Sequence, residues 1–151
     1  QLMEIFDYFS NEQRIWIDKI RECDWSAAKF LADLLEKNTF HTVLGNGSLL
    51  VMADDEKLAA FCTLTQKDCI SDDTLFPWIG FVFTVPEYRG NRYSGKLIKY
   101  ACDKAKEQGF ENVYIATDHI GLYEKYGFTY VESRIDIYGD DSRIYFRKLG
   151  E

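Results

Sequence analysis

The chain has 151 residues, of which 46% are hydrophobic, 28% are charged and 16% are aromatic, and its formal net charge is −7. This length and composition predict one globular domain over residues 1–151, with large rings in its core or lining a pocket. Nucleic-acid binding is not expected, because it requires a basic face and no long Lys/Arg run occurs. An acidic protein would better suit a cationic small molecule.

The sequence lacks the features of membrane and secreted proteins. No apolar run approaches the ~18 residues that span a bilayer, and the stretch QLMEIFDYF does not resemble a signal peptide. The four cysteines are scattered, which predicts reduced thiols rather than disulfides or a metal site. We therefore expect a cytoplasmic protein that binds no membrane and no metal.

The first predicted elements are an edge strand over residues 2–9 and two amphipathic helices. Ser10 and Gln13 form the capping pattern S-x-x-Q ahead of the first helix. Asp24 or Ser26 can cap the second helix, whose apolar residues recur at helical spacing.

The pattern then changes from helices to strands. Residues 48–53 and 58–65 predict a hairpin around an acidic turn. Residues 75–85, LFPWIGFVFTV, are nearly continuous in apolar character. Such a run is expected for a central strand that is covered on both faces.

The second half of the chain alternates between helices and strands. The pattern predicts, in order, a helix over 94–108, a strand over 113–117, a short helix over 119–126, and strands over 128–138 and 142–149. A strand, a helix and a strand in succession favour a parallel crossover. The predicted fold class is therefore α/β, with a mixed sheet and helices on both of its faces.

Residues 87–97, EYRGNRYSGKL, join the long apolar strand to the helix that follows it. Between Gly90 and Lys96 the segment approaches the phosphate loop of nucleotide triphosphatases. That loop requires Ser or Thr where this chain has Leu97, because the hydroxyl ligates magnesium. A phosphate-loop nucleotide-binding protein is therefore the weaker alternative.

The same segment resembles the coenzyme A pyrophosphate loop of the GCN5-related N-acetyltransferases, whose pattern is Q/R-x-x-G-x-G/A at the start of a helix. Arg89 takes the first position, Arg92 stands where the family prefers Gly, and Ser94 where it prefers Gly or Ala. Arg92 suits this place if its φ is negative, since only a positive φ demands glycine. Free N–H groups at a helix start bind anions.

A second motif, LYEKYGF over residues 122–128, is similar to the family's F-Y-E-K-L-G-F. It follows the first motif after one helix and one strand, as it does in the family. The resemblance implies that Tyr123 protonates the departing thiolate, and that Tyr126 packs where the family often has Leu. The family's usual asparagine is replaced by Ala116, and the glutamate base of some members is also missing.

The resemblance implies an N-acetyltransferase that moves the acetyl group of acetyl-CoA to a primary amine of a small molecule or peptide by direct attack. It implies that cofactor-binding residues lie on the third strand and the following loop: Val82, Phe83, Thr84, Arg89, Gly90, Asn91, Arg92, Tyr93, Ser94 and Gly95. The third strand should part from its neighbour there. For the base that accepts the ammonium proton, the candidates are Asp118 and His119.

The amine pocket is expected between the first two helices, the loop over residues 66–76 and the final hairpin. Asp68, Asp72 and Asp73 of this loop are candidates to attract an amine, although an acidic surface loop is the commoner explanation. A catalytically weak, coenzyme A-binding regulatory module is the alternative that the departures from the family pattern favour. The last two strands are candidates to pair across a homodimer.

Overall fold

A computed structural model describes residues 3–150 and contains a mixed sheet with helices on both faces, so the predicted α/β fold class is confirmed. The elements are β1 (Glu4–Asp7), α1 (Arg14–Arg21), α2 (Ser26–Glu36), α3 (Phe40–Leu44), β2 (Gly47–Asp54), β3 (Lys57–Thr65), β4 (Trp78–Thr84), α4 (Tyr93–Glu107), β5 (Asn112–Thr117), β6 (Thr129–Ile135) and β7 (Asp141–Lys148). Leu2, the first residue of the predicted strand over 2–9, lies outside the described residues.

The seven strands lie in the order β1-β2-β3-β4-β5-β7-β6. β4 and β5 pair in parallel, and the other neighbouring strands pair antiparallel. α4 forms the crossover between the two parallel strands, as the sequence predicted.

Two hydrophobic cores lie on opposite faces of this sheet, because successive side chains of a strand point to opposite sides. In β2, Leu49 and Val51 belong to the core that contains α1, α2 and α3. Leu50 and Met52 belong to the core that contains α4. All four side chains are buried, so the strand is covered on both faces.

A β-bulge interrupts β4 at Phe81. Phe61 pairs with Phe83, and Thr63 pairs with Gly80, so β4 has one more residue than β3 between these two pairs. Phe81 has a φ of 49°, in the left-handed region. A bulge bends its strand and re-aims the neighbouring side chains, so β4 changes direction in its middle.

β4 parts from β5 at the same place. The parallel pairing consists of Trp78 with Tyr114 and Ile79 with Ile115. Beyond Ile79 the two strands diverge, as the resemblance implied. The part of β4 after the bulge therefore has a free edge toward the gap.

The first two helices begin differently from the prediction. α1 starts at Arg14, and the Ser10 hydroxyl donates a hydrogen bond to the Asp7 carbonyl at 2.7 Å, so the predicted capping box is wrong. Ser10 instead ends a short 3-10 turn that the Asp7 side chain caps. α2 has Trp25 at its N-cap in an extended conformation, rather than Asp24 or Ser26.

The predicted helix over residues 119–126 shortens to a 3-10 turn at Tyr123–Tyr126. The Thr117 hydroxyl accepts the N–H of His119 at 3.1 Å. Gly121 has a φ of 86°, which an α-helix cannot contain. The helix therefore cannot extend back to the end of β5.

Within residues 3–150, no helix has the length and apolar character that crossing a membrane requires. Cys23, Cys62, Cys69 and Cys102 are free thiols. In the same part of the chain, no cluster of three or more His, Cys, Asp or Glu residues is arranged to hold a metal ion.

Candidate active site

A cavity of about 320 Å³, called here the β4–α4 cavity, lies between the end of β4 and the start of α4. It is lined by Val82, Phe83, Thr84, Tyr88, Arg89, Gly90, Arg92, Tyr93, Ser94 and Tyr126. The structure thus brings most of the predicted cofactor-binding residues together. Asn91 and Gly95 are the two that do not line this cavity.

The first turn of α4 presents free backbone N–H groups at one end of the cavity. The first intrahelical hydrogen bond runs from the Lys96 N–H to the Arg92 carbonyl, at 3.2 Å. The N–H groups of Tyr93, Ser94 and Gly95 precede it and have no partner within the helix. Such a group of amides suits the pyrophosphate of coenzyme A.

Arg92 occupies the N-cap of α4 with φ 62° and ψ 25°, in the left-handed region. The expectation of a negative φ at this residue is therefore wrong. A residue with a Cβ pays about 1–2 kcal/mol for this conformation, which glycine adopts freely. The family's preference for glycine at this position has this physical basis, and Arg92 carries the strain.

Two side chains of the loop form hydrogen bonds that brace it. Arg89 Nε donates to the Thr84 carbonyl at 2.9 Å, and its guanidinium lies 5.4 Å from the Phe83 ring centroid. Asn91 Nδ2 donates to the Tyr88 carbonyl at 3.0 Å. Both contacts fix the loop against β4 and the preceding 3-10 turn.

Gly95 allows Tyr126 to approach the start of α4. A Cβ at Gly95 would lie 2.8 Å from Tyr126 Cε1, which is too close for a real contact. Tyr126 lines the β4–α4 cavity, so it does more than pack in place of a leucine. The hydroxyls of Thr84 and Ser94 are 2.6 Å apart and tie β4 to the same helix turn.

Tyr123 is buried, with 6% of the residue exposed, and it is not among the residues that line the β4–α4 cavity. Its ring centroid is 6.4 Å from that of Tyr126 and 6.3 Å from that of Phe128. Burial, with smaller effects from Cys62, Tyr126 and Asp118, raises the pKa of the Tyr123 phenol to about 12. The phenol is therefore protonated at neutral pH and can serve as a proton donor.

Asp118 and His119, the predicted bases, are exposed in the turn after β5. The backbone carbonyl of His119 accepts a hydrogen bond from the Tyr145 hydroxyl at 3.3 Å. Neither residue is among those that line the β4–α4 cavity. Their catalytic role stays a prediction.

A second cavity, of about 480 Å³ and called here the aromatic cavity, lies on the α2 side of the sheet. It is lined by Trp25, Ser26, Ala27, Phe30, Val43, Leu44, Asp68, Cys69, Phe81, Ile137 and Tyr138. These residues come from α2, α3, the loop before β4, the bulge of β4 and the turn between β6 and β7. Of the elements predicted to shape an amine pocket, α2, the loop over residues 66–76 and the final hairpin line this cavity, whereas α1 does not and α3 takes its place.

The two cavities share an aromatic wall. Trp25 of the aromatic cavity stacks on Phe83 of the β4–α4 cavity, with ring centroids 5.4 Å apart and planes 10° from parallel. Phe81 and Val82, neighbours in the chain, line one cavity each. The two spaces therefore adjoin at the bulged half of β4.

Asp68 has a buried carboxyl with one unsatisfied oxygen. Its Oδ2 accepts the N–H of Cys69 at 2.9 Å. Its Oδ1 and the Thr63 hydroxyl are buried, and neither has a hydrogen-bond partner among residues 3–150. A Cβ at Gly80 would lie 2.1 Å from Asp68 Oδ1 and 3.3 Å from Thr63 Oγ1, so both oxygens surround the start of the bulge.

Burial raises the pKa of the Asp68 carboxyl to about 6, although hydrogen bonds from Cys69 oppose the shift. Because its Oδ1 is buried, Asp68 is not a solvated surface carboxylate, although the explanation of an acidic surface loop holds for the exposed Asp73. The sequence carried one signal, because a glycine inside an apolar strand often marks a bulge or a close approach. Gly80 is that glycine, and the Asp68 carboxyl occupies the space.

The other two loop aspartates do not face the aromatic cavity. Asp72 accepts hydrogen bonds from Thr74 and from Arg134 Nη1, the latter at 2.7 Å. These bonds lower the pKa of Asp72 to about 2, the Thr74 side chain being the largest cause. Asp73 is exposed. Asp68 alone of the three loop aspartates supplies a carboxyl to the cavity.

Comparison with known proteins assigns the family. The model described as the acetyltransferase (GNAT) family matches residues 7–128. An acetyltransferase from Streptococcus agalactiae 2603 is 25% identical, with a TM-score of 0.68 over 99% of each chain. The search of curated proteins found no match.

Two further solved structures share the fold. A GNAT family acetyltransferase from Elizabethkingia anophelis, solved with acetyl-CoA bound, is 16% identical, with a TM-score of 0.70 over 97% of this chain and 98% of that one. A GNAT family acetyltransferase from Staphylococcus aureus Mu50 is 17% identical, with a TM-score of 0.69 over 98% of this chain and 99% of that one. Since the family model spans most of the sequence, the chain belongs to the GNAT family of acetyltransferases, enzymes that take their acetyl group from acetyl-CoA.

Proposed function

We propose that this enzyme acetylates a primary amine of a small molecule or peptide by direct attack of the neutral amine on the thioester of acetyl-CoA. One observation carries the proposal: two cavities meet at the bulge of β4, on either side of the Trp25–Phe83 stack. One cavity offers helix-start amides for an anion, and the other offers the Asp68 carboxyl for a cation. A two-substrate transfer requires both.

Acetyl-CoA fits the β4–α4 cavity in two respects. The N–H groups at the start of α4 suit its pyrophosphate, and Gly95 with Tyr126 forms a close-fitting cradle beside them. The free edge of β4 at Val82, Phe83 and Thr84 suits the amides of the pantetheine arm. A backbone N–H of this edge would also stabilise the oxyanion that forms on the thioester carbonyl.

Tyr123 is the proposed acid for the leaving thiolate. A phenol is protonated at neutral pH, and burial, which raises the pKa of Tyr123 to about 12, extends that range to higher pH. Transfer of that proton to the sulfur would make the thiol a better leaving group.

The test is calorimetric titration with acetyl-CoA, with ATP and magnesium as the parallel ligand. We expect micromolar binding of acetyl-CoA and no heat from ATP. A panel of amines is then assayed for release of free coenzyme A thiol. Tight binding without release by any amine would favour a regulatory module, and binding of ATP alone would favour a phosphate-loop protein. We do not expect the second outcome, because Leu97 has no hydroxyl to ligate magnesium and its side chain is buried.

Two further expectations belong to this proposal. Free thiols at all four cysteines support a cytoplasmic location. A homodimer through the last strands is supported by the position of β6 at the sheet edge and by Ile135, which is 67% exposed. Sedimentation equilibrium would measure the oligomeric state.

A further inference from the structure

We propose that the aromatic cavity binds a primary amine carried on a flat apolar body, and that Asp68 holds the ammonium group and accepts its proton. This inference rests on the proposed acetyl transfer and specifies its acceptor. It selects aryl-alkyl amines over polyamines and over aminosugars.

The walls of the aromatic cavity suit a flat ring. Phe30 and Phe81 lie with planes 12° from parallel and centroids 6.5 Å apart, and Trp25 meets Phe81 at 66°. Ile137 and Tyr138 form the outer rim and are 60% and 66% exposed. Large apolar side chains left open to solvent around a concave site are typical of a surface that a ligand covers.

The inner end of the cavity suits one positive charge. A buried polar atom without a partner is costly, so each such atom requires an explanation. Asp68 Oδ1 and Thr63 Oγ1 are both of this kind, and they lie together beside Gly80. Of the two residues only Asp68 lines the aromatic cavity, so an ammonium group bound there would pair with the Asp68 carboxyl.

The same arrangement disfavours amines with several charges. Asp68 can neutralise one ammonium, and a second would have to leave water beside Trp25, Phe30 and Phe81 without an anionic partner. Attraction to the ring faces offsets only part of that desolvation cost. Hydroxyl groups of a sugar would likewise meet apolar walls.

The proton balance of the transfer follows from these positions. The bound ammonium loses one proton to Asp68, and the neutral amine attacks the thioester carbonyl. The N–C bond forms and the C–S bond breaks as the tetrahedral intermediate collapses. The thiolate gains the proton of the Tyr123 phenol at this stage, and the second proton of the nitrogen, passed through water, restores that phenol. Overall one proton ends on the coenzyme A thiol and one passes from Asp68 to solvent.

The experiment compares 2-phenylethylamine, n-propylamine, spermidine and kanamycin in an assay for coenzyme A thiol release. We expect kcat/KM for 2-phenylethylamine to exceed that for each of the others by at least about 10-fold. In Asp68→Asn we expect kcat/KM to fall by at least about 100-fold, the lower range for loss of a general base. The matched control is Asp73→Asn, which removes an exposed carboxyl of the same loop and should leave kcat/KM unchanged.

A binding readout separates the amine site from the chemistry. Titration of 2-phenylethylamine into the complex with coenzyme A should show binding that Asp68→Asn weakens and Asp73→Asn does not. Phe30→Ala should raise KM for 2-phenylethylamine while KM for n-propylamine changes little. Tyr100→Ala, which removes an exposed ring from α4, is the control.

The outcomes distinguish this inference from the proposed function. If spermidine or kanamycin is the preferred acceptor, or if Asp68→Asn keeps full activity, the inference is overturned and the acetyl transfer stands. If acetyl-CoA binds, but neither the four amines nor a peptide with a free N-terminus causes thiol release, the acetyl transfer itself is contradicted. The inference then fails with it.

Discussion

Trp25 and Phe83 stack face to face, 5.4 Å between centroids, and each ring lines a different cavity. Trp25 comes from the N-cap of α2, and Phe83 comes from the bulged half of β4. The contact therefore joins the helical layer to the strand that parts from β5. In the proposed enzyme this stack is the boundary between the two substrates.

Removal of this boundary should affect both substrates. In Trp25→Ala we expect KM to rise severalfold for acetyl-CoA and for the amine, because the truncation unpacks Phe83 from one side. Phe30→Ala, which leaves Phe83 in place, should raise only the KM of the amine. Steady-state kinetics with each substrate varied in turn will separate the two patterns. An unchanged acetyl-CoA KM in Trp25→Ala would contradict the shared wall.

Arg92→Gly should stabilise the free protein. Glycine removes about 1–2 kcal/mol of left-handed strain from the native state. It also increases the conformational entropy of the unfolded chain, which lowers stability by about 0.5–1 kcal/mol. We therefore expect the free energy of unfolding to rise by about 0.5–1 kcal/mol in urea denaturation. Arg89→Gly is the contrast, since Arg89 has a φ of −67° and donates to the Thr84 carbonyl. That change should destabilise the protein.

Asp68→Asn should stabilise the protein at neutral pH while it impairs catalysis. The pKa of Asp68 is raised on folding, so the unfolded carboxyl ionises first and the native state loses stability as pH rises through about 4 to 6. At pH 7 the ionised, unpaired group costs on the order of 3 kcal/mol. We expect a higher midpoint of unfolding for the variant at pH 7, and a smaller difference from the wild type at pH 4. Equal unfolding midpoints for Asp68→Asn and the wild type at pH 7 would contradict the presence of a destabilising buried charge at Asp68.

The pH profile of the reaction should show the ionisation of the same carboxyl. We expect kcat/KM to rise with pH through about 6 as Asp68 ionises, and this step to be absent in Asp68→Asn. The titratable groups that face Asp68 are the Cys69 thiol and the Tyr138 phenol, with Asp136 acting on both of them. Burial chiefly raises the pKa of Cys69, to about 12, and raises that of Tyr138, so both stay neutral in this range. If the step at this pH persists in Asp68→Asn, it arises from the ionisation of another group.

Tyr123→Phe should lower kcat by about 100-fold and leave acetyl-CoA affinity unchanged, because the ring packing is kept and only the acid is lost. Tyr126→Phe is the matched control on the same 3-10 turn, and its effect on kcat should be small. Because the pKa of Tyr123 is about 12, the wild-type kcat should show no loss of this acid below pH 10. Equal kcat in Tyr123→Phe and the wild type would remove the phenol from the mechanism.

The sequence predicted the sheet and the crossover because these follow from local patterns. Apolar runs, one helix with a C-terminal glycine and two spaced motifs were enough to order the elements from β2 onward. The prediction that β4 parts from β5 came from the resemblance alone. Helix caps were predicted poorly, because Ser10 had a closer partner in the Asp7 carbonyl than in the helix it precedes.

The site was predicted less completely, because its missing parts depend on tertiary contacts. The burial of Asp68 requires the loop before β4 to fold over Gly80, and a charged residue in a loop gives no local sign of this. The left-handed Arg92 lies at the N-cap of α4, a conformation that the local preference of arginine does not predict. The glycine within LFPWIGFVFTV was the one local sign of the bulge.

The most direct test of the account is to incubate the enzyme with ¹³C-acetyl-CoA and 2-phenylethylamine and to follow the acetyl carbon by NMR. The account predicts an N-acetyl amide signal that grows in step with free thiol, at a rate far above that of an enzyme-free control. If the label stays on coenzyme A while calorimetry shows both ligands bound, the proposed transfer between the two cavities is contradicted.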